Sequence, residues 1–343
     1  MEVGNDESNK GMNHEIRFAP PVATLFDAPR EEVSAVAAGQ VGVVGMPTDW
    51  THSSRIGTRF GPRALRLAST QIADVLRSKG VAGLVDPATG QAYALRTDLL
   101  ADCGDAIVSG AAVEDTTENI ASMTRTITAN QGVPLALGGD HYNSFPACLG
   151  YSRGLADRDA DARFGYIQFD GHLDFSDKLG AWGTHNHATN ARRVSELPNV
   201  LVANMVWIGV TGWVDGGDLE LIDKMGGKVF SSGDVHRLGA TQVAQQALTH
   251  ALRGCDQLYL SIDVDAMDAG YLPGTGSIVH SGITPRQYCQ MLDVLADAPV
   301  TGLDLVEVAP LLDPSGRSER ICAHLLYRVL HRFMFEKINT IGL

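Results

Sequence analysis

Short apolar runs alternate with longer stretches of helical spacing along most of the chain. Val41-Gly42-Val43-Val44-Gly45, Pro134 to Leu137, Gly165 to Phe169, Val200 to Val210, Lys228 to Phe230, Gln257 to Ile262 and Thr301 to Val306 read as strands. Leu65, Leu67, Ile72 and Leu76 give Arg63 to Arg77 the spacing of an amphipathic helix. Thr241 to Leu252, Pro285 to Ala296 and Ser318 to Phe335 also read as helices, and Thr284 before Pro285 makes a good helix start. There is no internal repeat, no low-complexity linker and no break in composition. The pattern predicts an α/β fold: a single-domain, three-layer α/β/α with a mostly parallel central sheet buried on both faces.

The polar residues sharpen that picture. Four apolar runs end directly in acidic or imidazole side chains, at His141, Asp170, Asp263 and Glu307. In open parallel sheets, ligand sites gather beyond the carboxyl ends of the strands. Three segments carry most of the chemistry: Gly138-Gly139-Asp140-His141, Asp170-Gly171-His172-Leu173-Asp174, and Ser261-Ile262-Asp263-Val264-Asp265-Ala266-Met267-Asp268. If extended, the second segment turns Asp170, His172 and Asp174 to one side, and Asp263 and Asp265 have the same period of two. A single aspartate at a strand end is commonly a cap or a turn residue. Three segments with the same pattern instead predict two divalent cations held by His141, Asp170, His172, Asp174, Asp263 and Asp265. Mixed carboxylate and imidazole ligands without thiolate suit Mn²⁺, Ni²⁺, Fe²⁺ or Zn²⁺. Such a pair activates water for hydrolysis at carbon or phosphorus, and spacing alone does not choose between them.

Composition narrows the partners. In 343 residues, 40 acidic against 27 basic side chains leave a net charge of −13. That argues against a nucleic-acid backbone and favours a small cationic substrate. The five cysteines are odd in number and form no C-x-x-C pair, so they predict free thiols in a reducing compartment. No apolar run is long enough to cross a bilayer, and Met1 to His14 lack the apolar core of a secretory signal. The expectation is therefore a cytoplasmic protein with no membrane partner. Residues 1–17 read as a polar tail or oligomer-contact arm before a domain spanning 18–343.

These motifs resemble those of the ureohydrolase family, which includes arginase, agmatinase, guanidinobutyrase and formimidoylglutamase. Its signatures are G-G-D-H, D-A-H-x-D and S-x-D-x-D-x-x-D-P-x-x-x-P-G-T-G. The chain matches the first, the second with Gly171 for Ala, and the third with Ala269 for Pro, ending in Pro273-Gly274-Thr275-Gly276-Ser277. Gly57-Thr58-Arg59-Phe60-Gly61-Pro62-Arg63-Ala64-Leu65-Arg66 is similar to an agmatinase segment. The likeness runs from about Val41 to the C-terminus. It implies that His141, Asp170, Asp174 and Asp263 hold one metal, and that His172, Asp170, Asp263 and Asp265 hold the other. It further implies Mn²⁺ or Ni²⁺, attack on the central carbon of a guanidino group, and urea and an amine as products. Glu307 would pair with the guanidinium and Asp174 would relay a proton, while a histidine would protonate the leaving amine. Ser277, Asp268, Trp182 and His280 are further candidate substrate contacts. A homotrimer or homohexamer is implied too, and a hetero-oligomer with a homologous subunit stays open.

Two registers compete for the catalytic histidine. Trp182-Gly183-Thr184 keeps Gly-Thr but puts tryptophan where histidine belongs. His187-Ala188-Thr189-Asn190-Ala191-Arg192-Arg193 keeps the histidine and the arginine pair, so His187 is the preferred proton shuttle. His185 is a spare that lines the entrance or faces solvent. Ala188, Asn190, Ala191, Ala269 and the run Ile278-Val279-His280-Ser281 depart from the family, all in loops expected around the non-reacting end of the substrate. The leading expectation is an agmatinase- or guanidinobutyrase-like amidinohydrolase. A guanidine or biguanide hydrolase, a formimidoylglutamase-type enzyme and a non-catalytic subunit are the alternatives.

Overall fold

The apolar runs become the strands of one eight-stranded sheet in the order β4-β1-β5-β10-β9-β6-β7-β8. The strands are β1 (Val41–Met46), β4 (Leu100–Asp105), β5 (Val133–Gly138), β6 (Gly165–Phe169), β7 (Met205–Val210), β8 (Lys228–Ser231), β9 (Leu258–Asp263) and β10 (Val300–Val306). Every neighbouring pair in this sheet is parallel. A separate antiparallel hairpin joins β2 (Gly83–Val85) and β3 (Ala92–Ala94). This computed structural model describes residues 23–88, 90, 92–110 and 112–335. The expected tail or arm at 1–17 lies outside the described residues.

Both sheet faces are apolar, and the strands send alternate side chains to different helices. On one face, Val41, Val43, Leu135, Leu137, Ile167, Phe169, Leu303 and Leu305 pack against α1 (Gly61–Lys79), α7 (Ala240–Ala251), α8 (Pro285–Leu295) and α9 (Arg317–Phe335). On the other, Val44, Met46, Ala136 and Val306 pack against α2 (Val113–Ala129), while Tyr166, Met205, Trp207 and Tyr259 meet α3 (Ser144–Arg158), α4 (Asn190–Val194) and α5 (Gly216–Lys224). A short α6 (Ser232–Leu238) precedes α7. The result is the expected three-layer α/β/α domain. At α8, the Thr284 side chain accepts from the Gln287 N–H, and Pro285 occupies the first turn.

The sequence reading of the sheet departs from the structure in two places. The run Val200 to Val210 is a strand only from Met205; Val202–Asn204 form a short turn. Asn204 fixes that turn by donating to the carbonyls of Ala251 and Arg253 at 3.1 and 2.8 Å. Val200 and Val202 are buried from a loop, so an apolar run there does not mean a strand. Edge strand β4 escapes sequence reading because Asp102 and Asp105 interrupt it. Both carboxylates serve the fully buried Arg66, whose Nε and Nη2 donate to Asp102 at 2.9 Å.

The order of the sheet places the candidate site. The chain leaves β5, skips two strand positions and continues at β6; β9 and β10 later fill the gap. The four strands β5, β10, β9 and β6 therefore stand side by side at a switch in winding direction. They end at or just before His141, Glu307, Asp263 and Asp170.

Candidate metal centre

The Gly138-Gly139 pair lets β5 stop against its neighbours. A Cβ on Gly138 would come within 2.3 Å of Val306, and one on Gly139 within 1.8 Å of the Thr48 carbonyl. The chain then turns so that the His141 ring faces three carboxylates. Its Nδ1 lies 3.2 Å from Asp170, 2.9 Å from Asp174 and 2.9 Å from Asp263. His172 Nδ1 lies 3.4 Å from Asp170 and 3.0 Å from Asp265. Two groups thus have ligand atoms within 4.8 Å of one another: His141, Asp170 and Asp263, and Asp170, His172 and Asp265. Asp170 belongs to both.

Residues 170–174 come together, though not by strand alternation. They leave the sheet through a bend at Gly171–His172, and Asp174 sits at φ 47°. Glu307 is likewise at φ 66°. Both are non-glycine residues in the sparsely populated left-handed region, which a fold tolerates where the surroundings over-determine the conformation. Asp265 lies in the tight turn Val264–Ala266 after β9; one oxygen of Asp263 caps that turn and the other faces His141.

A further layer of hydrogen bonds aims these groups. The Tyr166 hydroxyl donates to Gln168, and Gln168 Nε2 donates to Asp170 at 2.6 Å. His141 Nε2 lies 3.3 Å from the Ser261 hydroxyl, which donates to Asp304. Asn190, a residue expected near the far end of a substrate, instead donates to Asp174 Oδ2 at 3.0 Å and to the His187 carbonyl at 3.2 Å.

The electrostatics call for cations. Burial and neighbouring carboxylates push Asp174 up to about 7 and also raise Asp263 and Asp265. Against its own burial, Asp170 is held below the usual carboxylate range by the two imidazoles. Among the described residues, every ion pair of these four carboxylates runs to His141 or His172. His141 Nδ1 is buried with no aligned hydrogen-bond partner. Four buried carboxylates and two imidazole nitrogens match the charge and donor preference of two divalent ions.

Glu307 stands next to this cluster. Its Oε1 accepts the His141 backbone N–H at 2.8 Å, and its Oε2 lies 3.3 Å from His52 Nε2. The His187 ring stacks on His52 with centroids 4.7 Å apart, and its Nδ1 donates to the Thr51 carbonyl at 2.8 Å. Burial lowers the His187 pKa. His185 packs elsewhere, against Tyr142 and Phe145. Trp182 is about half exposed and His280 is exposed. Asp268 spends its carboxylate on the N–H groups of Gly270 and Gly282, and Ser277 is half-buried on the same loop system.

His52 was not among the sequence candidates. It follows β1, within the Thr48 to Arg55 loop, so the strand-end rule applied to β1 would have reached it. Asp140 secures this loop by accepting from the Thr51 N–H and hydroxyl at 3.1 and 2.8 Å.

Two departures from the family signatures meet in space. A methyl group on Gly171 would lie 2.7 Å from Val279 Cγ1 and 3.1 Å from Asp265. Val279 thus occupies the room an alanine would need. Gly171→Ala should cost about 1–3 kcal/mol through overpacking, and Val279→Ala should recover most of that loss. Urea unfolding of the two single variants and the double variant measures the coupling. An equal cost of Gly171→Ala in both backgrounds would rule out this contact as the cause.

The description "Arginase family" matches residues 39–331. The chain is 30% identical to the mitochondrial guanidino acid hydrolase of Homo sapiens, covering 87% of this chain and 79% of that one. It is also 30% identical to the guanidinopropionase of Pseudomonas aeruginosa, covering 86% of each. A solved structure of a hypothetical agmatinase from Burkholderia thailandensis has a TM-score of 0.76 and 26% identity, covering 93% of this chain and 92% of that one. The chain belongs to the arginase family of ureohydrolases, hydrolases that act on C–N bonds of linear amidines.

Proposed function

We propose that this protein hydrolyses a small guanidino compound to urea and an amine, with two divalent ions, Mn²⁺ or Ni²⁺, bound per chain. One observation carries the reading: two His/Asp groups, buried except for the His172 ring, share Asp170, and a buried carboxylate, Glu307, stands beside them on the His141 backbone N–H. His141, Asp170, Asp174 and Asp263 would hold one ion, and His172, Asp170, Asp263 and Asp265 the other. Bound there, the ions lower the pKa of water and so supply hydroxide near neutral pH.

The chain's own groups do the rest. Glu307 accepts the guanidinium N–H groups and orients the central carbon toward the ions. His187 donates through Nδ1 to Thr51, and its Nε2, 3.0 Å from the Ser53 hydroxyl, is the nitrogen that would carry a proton to the leaving nitrogen. Its contact with His52, beside Glu307, favours the His187 register over the half-exposed Trp182. Complete ligand groups weigh against a non-catalytic subunit. The names of the relatives, guanidino acid hydrolase and guanidinopropionase, favour a guanidino acid, and the hypothetical agmatinase of similar structure adds agmatine. The loops that depart from the family pattern leave guanidine or a biguanide as the alternative substrate.

A substrate panel tests the reading. The chain is stripped, reloaded with Mn²⁺ or Ni²⁺, and assayed for urea and amine release. The panel holds arginine, agmatine, 3-guanidinopropanoate, 4-guanidinobutanoate, guanidine, a dimethylbiguanide and formimidoylglutamate. Urea from one guanidino compound, lost on His187→Ala, is expected. Formamide release from formimidoylglutamate alone would overturn the proposal, as would a fully loaded chain inert toward every compound. Light scattering during purification tests the accompanying expectation of a trimer or hexamer.

A further inference from the structure

We infer that His52 is a positioning residue for the guanidinium-binding carboxylate: it is fixed as a hydrogen donor beside Glu307 and sets where the cation docks. The inference rests on the proposed guanidino substrate and goes beyond it by naming what holds Glu307.

Three contacts fix the ring. His52 Nδ1 accepts the Ser54 backbone N–H at 3.0 Å. One face lies on His187, with an interplanar angle of 10°. The Nε2 edge abuts Gly276, where a Cβ would come within 2.6 Å of that nitrogen. The residue is only 5% exposed, so tilting away would disturb a buried loop.

The Ser54 bond decides the chemistry. A neutral ring that accepts at Nδ1 carries its hydrogen on Nε2, and a charged ring carries one there as well. In either state Nε2 is a donor facing Glu307. At 3.3 Å the two atoms are close, yet both Nε2 and Oε2 remain buried without an aligned hydrogen-bond partner. The N–H field of His52 favours the charged carboxylate at a desolvated position, while Oε2 keeps acceptor capacity for a ligand. A guanidinium ion offers only donors, so it cannot bond to His52 and must approach Glu307 from the remaining side. The docking direction is therefore set by a group that makes no hydrogen bond to the substrate.

Three variants separate the roles of the ring. His52→Ala removes donor and stack, His52→Phe keeps a stacking ring without the donor, and His52→Gln keeps an N–H donor. Ala and Phe should each raise KM about tenfold, the scale of removing a buried polar donor that faces a carboxylate, with kcat reduced less than threefold by roughly uniform loss of binding. Gln should restore KM to within about threefold of the parent. The same order is expected in Kd for the guanidinium ion by calorimetry on the metal-loaded chain. Unchanged KM and Kd in Phe would overturn the inference, as would Phe and Gln behaving alike. Should the parent enzyme turn over no guanidino compound, the function proposal fails separately, and the calorimetric order still decides the role of His52. Should Ala fail to fold, the Phe and Gln pair decides it.

Discussion

Asp170→Asn should cost the chain both metal ions together and reduce kcat/KM by at least roughly a thousandfold, the scale of losing a preorganised electrostatic element of a site. The reason is its place at the centre of the geometry. Of the two carboxylates proposed to serve both ions, Asp170 and Asp263, Asp170 alone among the described residues pairs with both imidazoles, with Oδ2 3.2 Å from His141 and Oδ1 3.4 Å from His172. Asparagine keeps the shape but loses the charge and one acceptor oxygen. Its amide would also face either the Gln168 amide or the His172 N–H, both of which now donate to Asp170 at 2.6 Å. Asp265→Asn is the comparison. It touches only the group containing His172, so it should leave about one ion per chain on His141, Asp170 and Asp263. Metal analysis after dialysis separates the cases, and two ions retained by Asp170→Asn would refute a shared ligand.

Parts of this arrangement were readable along the chain because they are local. The strands that build the centre are continuous apolar runs with their acids at the ends, and each fits within a short window. Other parts depend on distant partners. β4 carries Asp102 because Arg66, in α1, needs it in the core. Helix α2 is rich in threonine, a weak helix former. Thr117, Thr124 and Thr128 satisfy their hydroxyls on carbonyls one turn back, which no propensity scale registers. His52 lies close to Glu307 only because β1 and β10 both flank β5 in the folded sheet. The same holds for Gly171 and Val279: each looks like a separate departure from a motif, and their contact makes them one change.

Glu307→Gln should lower kcat/KM by roughly a hundredfold to a thousandfold while leaving two ions bound, if each charge-assisted bond to the cation is worth about 1.5–3 kcal/mol. Glu307 makes no ligand contact with the clusters, so the metal count should hold while substrate binding fails. The carboxylate is suited to a cation because it is desolvated, at 2% exposure, yet held below its ordinary pKa. Burial alone would raise that pKa; the His52 ring facing Oε2, the neighbouring His187 and the His141 N–H on Oε1 reverse it. Glutamine fits the same space, but its amide nitrogen must face a donor on one side: the His141 N–H at Oε1 or the His52 N–H at Oε2. It also offers no charge to a guanidinium. The sign of the outcome is therefore independent of which way the amide turns. Loss of metal in Glu307→Gln would move this residue into the ligand set, and a kcat/KM within about threefold of the parent would leave the guanidinium without its proposed partner.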